Sequence, residues 1–507
     1  MSATAQARPG AFAPVGRAEG EFDRAYAVRI LAILAGLVMI VMYIEGMLTP
    51  SLPSIAQTYG VSTAQVSLVL SVYLVSGVAL TPIAGKLGDI YGKKRVLTVV
   101  LVVYAAAVSV TGFSPTFEFM VASRAVQGVG LTVFPLAMAL VREEFPRDMI
   151  PRAQGILSAL FAAGFAISLP LGAWVSDGFG WQFTYHTAIP FVLAITVACF
   201  LFLRESPFRR PEAKVDYVGA SLLAASLALF VFALAQGPTW GWTSAAVLGM
   251  AAVGAVLLVP LVLYERRLHR AQSDVILDFR LLGMRNVLVT NVIGIVSGFG
   301  MFLAFQAITF RLDTPVPYGF GQDTFQIGLS FLAFALPMLV IAPIASSLVT
   351  RFGTIPLTVL GCLVGAAGFG VATQATSLEG LWASMVVMGA GLAITNASVI
   401  NLLVLTVQPR DMGLGTSMNA MFRNIGSSVG APLAGSLMAT FTVNTVYGPL
   451  PSLAAFNASF VIAAVTFVVA AIVTVFGREV LGSRAVRTES PRAEVSAPAS
   501  AVAAEAG

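Results

Sequence analysis

About fourteen stretches of roughly 20 predominantly apolar residues follow one another along this chain, and that length is what one helix needs to cross a bilayer. They run over 28–54, 65–85, 96–113, 117–141, 153–175, 185–203, 217–236, 244–264, 288–310, 325–348, 355–375, 380–404, 416–440 and 455–477. In lipid every backbone amide and carbonyl must be paired internally, so only helices and closed barrels span. A barrel would show alternating segments of ~10 residues, which are absent. The chain therefore reads as an all-α integral membrane protein. At 57% hydrophobic residues and a mean hydropathy of +0.88 it exceeds what a soluble core absorbs. A net charge of +5 with no basic amphipathic face argues against nucleic acid. Cys199 and Cys362 both lie inside apolar runs, and His186 and His269 have no metal-ligand company, so neither a disulfide framework, a metal nor a cofactor is expected.

The loops set the orientation. Of 29 Lys and Arg residues, 26 fall at one face, Arg311 alone at the other, and Arg124 and Arg423 within spans. Basic residues accumulate on the cytoplasmic side, so both termini are expected there. Trp174, Trp181, Trp240, Trp242 and Trp382 all fall near the opposite interface, where an aromatic belt sits. The first span is too long for a cleaved leader and is read as a retained helix, with its outer end made irregular by "TPSLPSI". A multi-pass protein of the plasma membrane follows, embedded in lipid as a monomer.

The chain also repeats itself. "VASRAVQGVGL" at 121–131 matches "WASMVVMGAGL" at 382–392, each is followed by "PRDM", and "GFAISLPLG" at 164–172 answers "GSSVGAPLAG" at 426–435. Repeated halves around a midplane site are characteristic of secondary transporters. The expected division is a cytoplasmic segment 1–27, a six-helix bundle 28–203, a linker region 204–287 carrying two additional central helices, a second six-helix bundle 288–477, and a disordered, low-complexity cytoplasmic tail 478–507.

Between the second and third spans lies "GKLGDIYGKKR". It resembles the loop signature of the major facilitator superfamily through Gly85, Leu87, Gly88, Asp89, Gly92, Lys93 and Lys94, with Ile90 where a basic residue is usual. "RAVQGVG" resembles that family's fourth-helix pattern through Arg124, Gln127, Gly128 and Gly130. "DYVGASLL" with "QGPTWGW", and "FRNIGSSVG", are similar to the fourteen-helix drug:proton antiporter branch. The helix-5 antiporter signature is present in altered spacing as Gly164, Pro170 and Gly172, and Glu45 stands where an Asp is usual in helix 1. The resemblance implies alternating access, a cytoplasmic gate at Gly85, Asp89, Gly92, Lys93 and Lys94, and small-molecule cargo exchanged for protons.

The residues support roles of their own. The hairpin glycines permit tight turning, and Asp89 is placed to meet a helix N-terminus, where the macrodipole favours a carboxylate. A charge at a helix centre costs ~2.5–3.5 kcal/mol, so Arg124 is expected to face a wet cavity or a partner. Glu45 is the one acid well inside a span, and the two are expected to form the proton-coupling centre. Gln127, Asn396, Asn401, Arg423 and Asn424 are candidates for the cavity lining. Arg423, near the start of its span, is also close enough to an interface to snorkel. Asp216 reads as the cap of the seventh helix. With no phosphate-binding Gly-x-x-x-x-Gly-Lys-Ser/Thr loop, nothing indicates ATP drive. The expected function is proton-coupled export of lipophilic or cationic compounds. The alternative is transport of one defined metabolite. A membrane-embedded lipid enzyme would need clustered Asp, His or Cys, which the sequence lacks.

Overall fold

The computed structural model describes residues 24–146, 148–205, 215–270, 278–408, 412–446 and 448–479. The expectations for the segment before Arg24, for most of 204–214 and for the tail beyond Glu479 lie outside these residues. Among these residues thirteen helices are long and apolar enough to cross a membrane: α1 (Arg24–Tyr59), α2 (Thr63–Tyr91), α3 (Lys93–Thr111), α4 (Phe117–Glu144), α5 (Arg152–Phe179), α6 (Trp181–Phe202), α7 (Tyr217–Trp240), α8 (Ala245–Leu268), α9 (Arg285–Asp313), α10 (Thr324–Val349), α11 (Thr354–Gln374), α12 (Leu378–Thr406) and α14 (Leu453–Val475). Between the last two, α13 (Met412–Thr440) is a further 29-residue helix, richer in Asn, Ser and Gly. It occupies the place of the thirteenth apolar stretch in the sequence.

Several starts are written locally. Ser62 and Gln65 close a capping box at the start of α2, and Asp323 and Gln326 close another at the start of α10. Thr116 caps α4 through the Phe119 amide, as Ser377 caps α12 through the Gly380 amide. Asp216 caps α7, accepting from the Gly219 amide at 2.7 Å. The expected irregularity at the far end of α1 is present: the helix breaks after Gly46, passes through a 3-10 turn at Thr49–Ser51, and resumes at Leu52. A second interruption, Gly128–Thr132, divides α4 just beyond Gln127. A short hairpin, β1 (Thr442–Thr445) with β2 (Gly448–Pro451), joins α13 to α14.

The packing repeats as the sequence blocks do. In the first six helices α1 lies along α5, α2 along α4, and α3 along α4 and α6; in the last six α9 lies along α13, α10 along α12, and α11 along α12 and α14. The two groups meet along α2 with α13 and along α5 with α10. The hydrogen bonds that join them gather at the face opposite Arg24. Thr63 Oγ1 donates to the Gly435 carbonyl at 2.9 Å, Gln306 Nε2 to the Thr63 carbonyl at 3.4 Å, and the Ser54 and Thr324 hydroxyls are 3.4 Å apart. Aromatic rings add to this seam: Phe165 of α5 stacks on Phe305 of α9, which meets Phe331 and Phe334 of α10 edge-on. α7 packs against both α2 and α13, and α8 packs on α7. α8 exposes Leu248, Val253, Val256, Val259 and Leu263. With no water in the bilayer core, such outward apolar side chains sit in lipid at no cost.

Candidate functional site

Arg124, expected to face a wet cavity or a partner, is fully buried within its helix group. Its guanidinium is fixed on three sides. Nε donates to the Val69 carbonyl of α2 at 2.9 Å, Nη1 donates to Gln127 Oε1 at 3.0 Å, and the group lies 4.6 Å over the Tyr73 ring. Gln127 in turn donates to Thr111 Oγ1, and the Thr111 hydroxyl donates to Ser123 Oγ at 2.8 Å. The hydroxyls of Tyr73, Tyr104 and Tyr185 are buried around this guanidinium, Tyr185 interacting with Gln127 and Arg124 and Tyr73 with Glu45. One cation and three phenols from α2, α3, α4 and α6 thus gather in one region.

Glu45 is the acid in reach. It is partly buried on α1, one residue before the helix breaks, and lies within electrostatic range of Arg124, Arg423 and the Tyr73 hydroxyl. The helix-5 glycines bring it there. A Cβ at Gly164 would stand 2.8 Å from the Met39 carbonyl, and one at Gly172 2.6 Å from the Met47 carbonyl, so α5 touches the α1 backbone on either side of Glu45. Pro170 lies between them inside α5.

Arg423 lies inside α13, partly buried, with its backbone against Gly298 of α9, and within electrostatic range of Glu45. Asn396, Asn401 and Asn424 are partly exposed; Asn401 turns back to donate to the Ala397 carbonyl of its own helix at 2.8 Å.

The charged hairpin forms a second cluster at the terminal face. Buried Lys93 lies 3.1 Å from Asp89 Oδ1 and 2.6 Å from Glu143 Oε1 of α4. The carboxylate at a helix N-terminus is that of Glu205, not Asp89. Glu205 accepts from the amides of Lys94 at 3.1 Å and Arg95 at 3.2 Å. The reason is geometric: Asp89, in the last turn of α2, faces Lys93 four residues on, leaving the first amides of α3 to the chain returning from α6. Gly92, at φ 105°, admits this contact, since a Cβ there would stand 2.3 Å from Glu205 Oε1. Gly85 has open space at its Cβ position. Lys94 extends over the Phe200 ring at 5.9 Å.

The second group repeats the arrangement. Glu479, beyond α14, accepts from the amides of Thr354 at 2.7 Å and Ile355 at 2.8 Å, next to Gly353 at φ 88°. The sequence carries a trace of this, an Arg-Glu pair after the sixth span (Arg204, Glu205) and another after the last (Arg478, Glu479). Tyr73, Tyr104, Tyr185 and Glu143 left no such trace. Arg311, which the loop count assigns to the outer face, is buried and donates to the Ala372 carbonyl at 2.8 Å, at the end of α11.

The chain is similar to known proteins. The profile of the Major Facilitator Superfamily matches residues 34–312 and 290–504. An uncharacterized MFS-type transporter of Mycobacterium tuberculosis is 30% identical over 408 residues, covering 78% of this chain; the match spans only 57% of that longer relative. The tetracenomycin C resistance and export protein of Streptomyces glaucescens is 25% identical, over 81% of this chain and 76% of its own. The multidrug transporter protein MdtP of Bacillus subtilis is 24% identical, over 72% and 67%. Among solved structures, a bacterial homolog of the human lysosomal transporter Spinster, inward-facing and unoccupied, superposes with a TM-score of 0.65 at 15% identity, covering 91% of this chain and 98% of that one.

Proposed function

The chain belongs to the major facilitator superfamily, and on that premise we propose that this membrane transporter couples export of lipophilic or cationic small molecules to inward proton movement. The observation that carries the reading is Glu45, an acid inside α1 within electrostatic range of two guanidinium groups. A carboxyl group in apolar surroundings is favoured neutral by desolvation and charged by a nearby cation. Such a group changes its proton occupancy when its surroundings change, which is what coupling requires. Positively charged cargo competes with the proton for the same carboxylate, while neutral cargo responds to it indirectly. The export and multidrug names of the relatives support the direction and cargo type.

The remaining elements of the reading follow from this core. Two six-helix halves, 28–203 and 288–477, rock about the central site with the α7–α8 pair alongside. Both termini lie in the cytoplasm of a plasma-membrane monomer, and the Asp89–Lys93–Glu143 cluster gates the cytoplasmic side. The hydrogen bonds between the helix groups gather at the opposite face, which supports a state closed there. A second reading, transport of one defined metabolite, draws on the relative named for a single compound.

The test is cargo flux against an imposed pH gradient in reconstituted vesicles, across a panel of dyes and metabolites. Glu45→Gln is expected to abolish proton-driven accumulation while retaining binding of neutral cargo. A mutant that concentrates cargo as well as wild type removes Glu45 from the coupling role.

A further inference from the structure

The two helix groups meet along two seams, α2 with α13 and α5 with α10. The repeat makes these seams counterparts, since α2 answers α10 and α13 answers α5. They are not covered alike. α7 lies along both α2 and α13, and is tied to the latter where the Ser436 hydroxyl donates to the Leu234 carbonyl and Trp242 Nε1 donates to Thr440 Oγ1 at 3.4 Å. α8 backs α7, the Ser226 hydroxyl donating to the Gly254 carbonyl at 2.8 Å. Among the described residues, none from Thr63 to Ile90 of α2 or from Met418 to Ala439 of α13 is exposed. Neither α7 nor α8 lies along α5 or α10.

The α5–α10 seam is closed over its half away from Arg24. There a Cβ at Gly328 of α10 would stand 2.2 Å from the Ala173 Cβ and 2.7 Å from the Leu169 carbonyl of α5. One turn nearer the terminal face, Phe165 stacks on Phe305 of α9, which meets Phe334 of α10. Beyond these rings the two helices part: α5 packs chiefly against the first section of α10, Thr324–Ser330. The α5 face that holds Leu169 and Ala173 continues at helical spacing through Ala166 to Ala162 and Ala159, and the last two are exposed. So are Leu336, Val340 and Ile344 of α10. Phe165 also adjoins the α1 backbone beside Glu45, since a Cβ at Gly46 would stand 3.2 Å from its ring.

We propose that the gap between the terminal-face halves of α5 and α10 is a lateral entrance for amphiphilic cations dissolved in the adjoining leaflet, and that the α7–α8 pair seals the counterpart seam. This rests on the reading of Glu45 as the acid that receives cationic cargo. The walls of the gap select the cargo class. Its exposed side chains are apolar, so an alkyl chain leaving the leaflet stays in apolar surroundings and is not transferred to water on the way. The positive head that travels with it meets its counter-charge at the Glu45 carboxylate, behind Phe165. With one seam covered by a helix and the other bare, cargo held in the membrane has one way in. The pair added between the two halves thus makes an otherwise two-fold arrangement one-sided.

Two measurements in proteoliposomes test it. The first is photolabelling of the full chain with a diazirine-tagged dodecyltrimethylammonium, mapped by peptide mass with and without an excess of the untagged compound. Displaceable label is expected on the terminal-face halves of α5 and α10, and not on α2, α13, α7 or α8. Displaceable label at the α2–α13 seam, or none at the α5–α10 seam, overturns the inference. The second is flux. Ala159→Trp and Ala162→Trp add bulk at exposed positions of the gap. Each is expected to slow dodecyltrimethylammonium about tenfold and to leave butyltrimethylammonium, too short to dissolve in the membrane, within about twofold of wild type. Val256→Trp, exposed on α8, is expected to change neither. Equal slowing of the two cations, or of neither, overturns the lateral entrance. The labelling decides the entrance whether or not flux is seen. Failure of wild type to concentrate any cation against its gradient, with the label in place on α5 and α10, overturns the coupled-export reading instead.

Discussion

Glu205 and Glu479 make the same contact in the two halves of the molecule: each closes the first turn of a helix by accepting two successive backbone amides, beside a glycine of positive φ. Each ties the end of one six-helix group (α6 or α14) to the start of its third helix (α3 or α11). A carboxylate here satisfies orphan amides and also faces the positive end of the helix dipole.

Glu205→Ala and Glu479→Ala are each expected to cost about 1–2 kcal/mol, as for lost caps elsewhere. The two sites share no partners, so the double variant should lose close to the sum. Thermal unfolding in detergent measures both. An unchanged midpoint in either single variant would show that the cap is not stabilising.

Two glycines of one signature should respond in opposite ways. Gly92→Ala meets both an unfavourable φ and the Glu205 carboxylate, and is expected to lose about 1–2 kcal/mol or more. Gly85→Ala enters open space in mid-helix and is expected to stay within about 0.5 kcal/mol of wild type. Comparing the two unfolding curves decides it.

Asp89→Asn keeps the size of the side chain and removes its charge from the Lys93 cluster, leaving Lys93 to Glu143 alone. Membrane insertion is expected to be normal and transport to slow by about fivefold, the equivalent of ~1 kcal/mol on a rate. Full transport rates in this variant reduce the hairpin to an orientation signal.

Arg124→Ala is expected to impair both cargo binding and proton coupling, because the Val69 carbonyl, Gln127 and Tyr73 all lose a partner. Arg124→Lys should not rescue it: an ammonium lacks the planar fork that serves a carbonyl, an amide and a ring face together. Binding and gradient-driven flux measured on one preparation separate the two defects. Recovery of both by lysine would show that charge alone suffices.

Topology is checked with thiols. Val316, 72% exposed in the loop between α9 and α10, should label as Val316→Cys from outside intact cells with a membrane-impermeant reagent. Ser206→Cys should label only after permeabilisation. The reverse pattern would invert the assignment of both termini.

Much of this architecture is legible without coordinates, because the constraint that produces it is one-dimensional. Lipid requires ~20 apolar residues per crossing, and hydroxyls and acids at Ser62, Thr116, Asp216, Asp323 and Ser377 mark where helices begin. Glu45 and Arg124 stand out in the sequence for the same reason: a charge in an apolar run is costly and therefore visible. Even α13, richer in Asn, Ser and Gly than the other spans, is recognisable both as the apolar stretch 416–440 and through its repeat of α5.

What tertiary structure alone decided is who meets whom. Nothing in hydropathy distinguishes Glu205 from Asp89 as the residue that reaches the first turn of α3, or Gly92 from Gly85 as the glycine that cannot change. Nor does the sequence show that the Arg423 backbone lies against Gly298 of α9, or that Tyr73, Tyr104 and Tyr185 gather near Arg124. These contacts join residues far apart in the chain. They depend on how each helix is rotated about its axis and how closely small residues such as Gly164, Gly172 and Gly298 let neighbours approach. Hydrophobic burial in lipid is indifferent to that rotation, so it is settled by packing and by the pairing of the few polar groups that cannot be left alone.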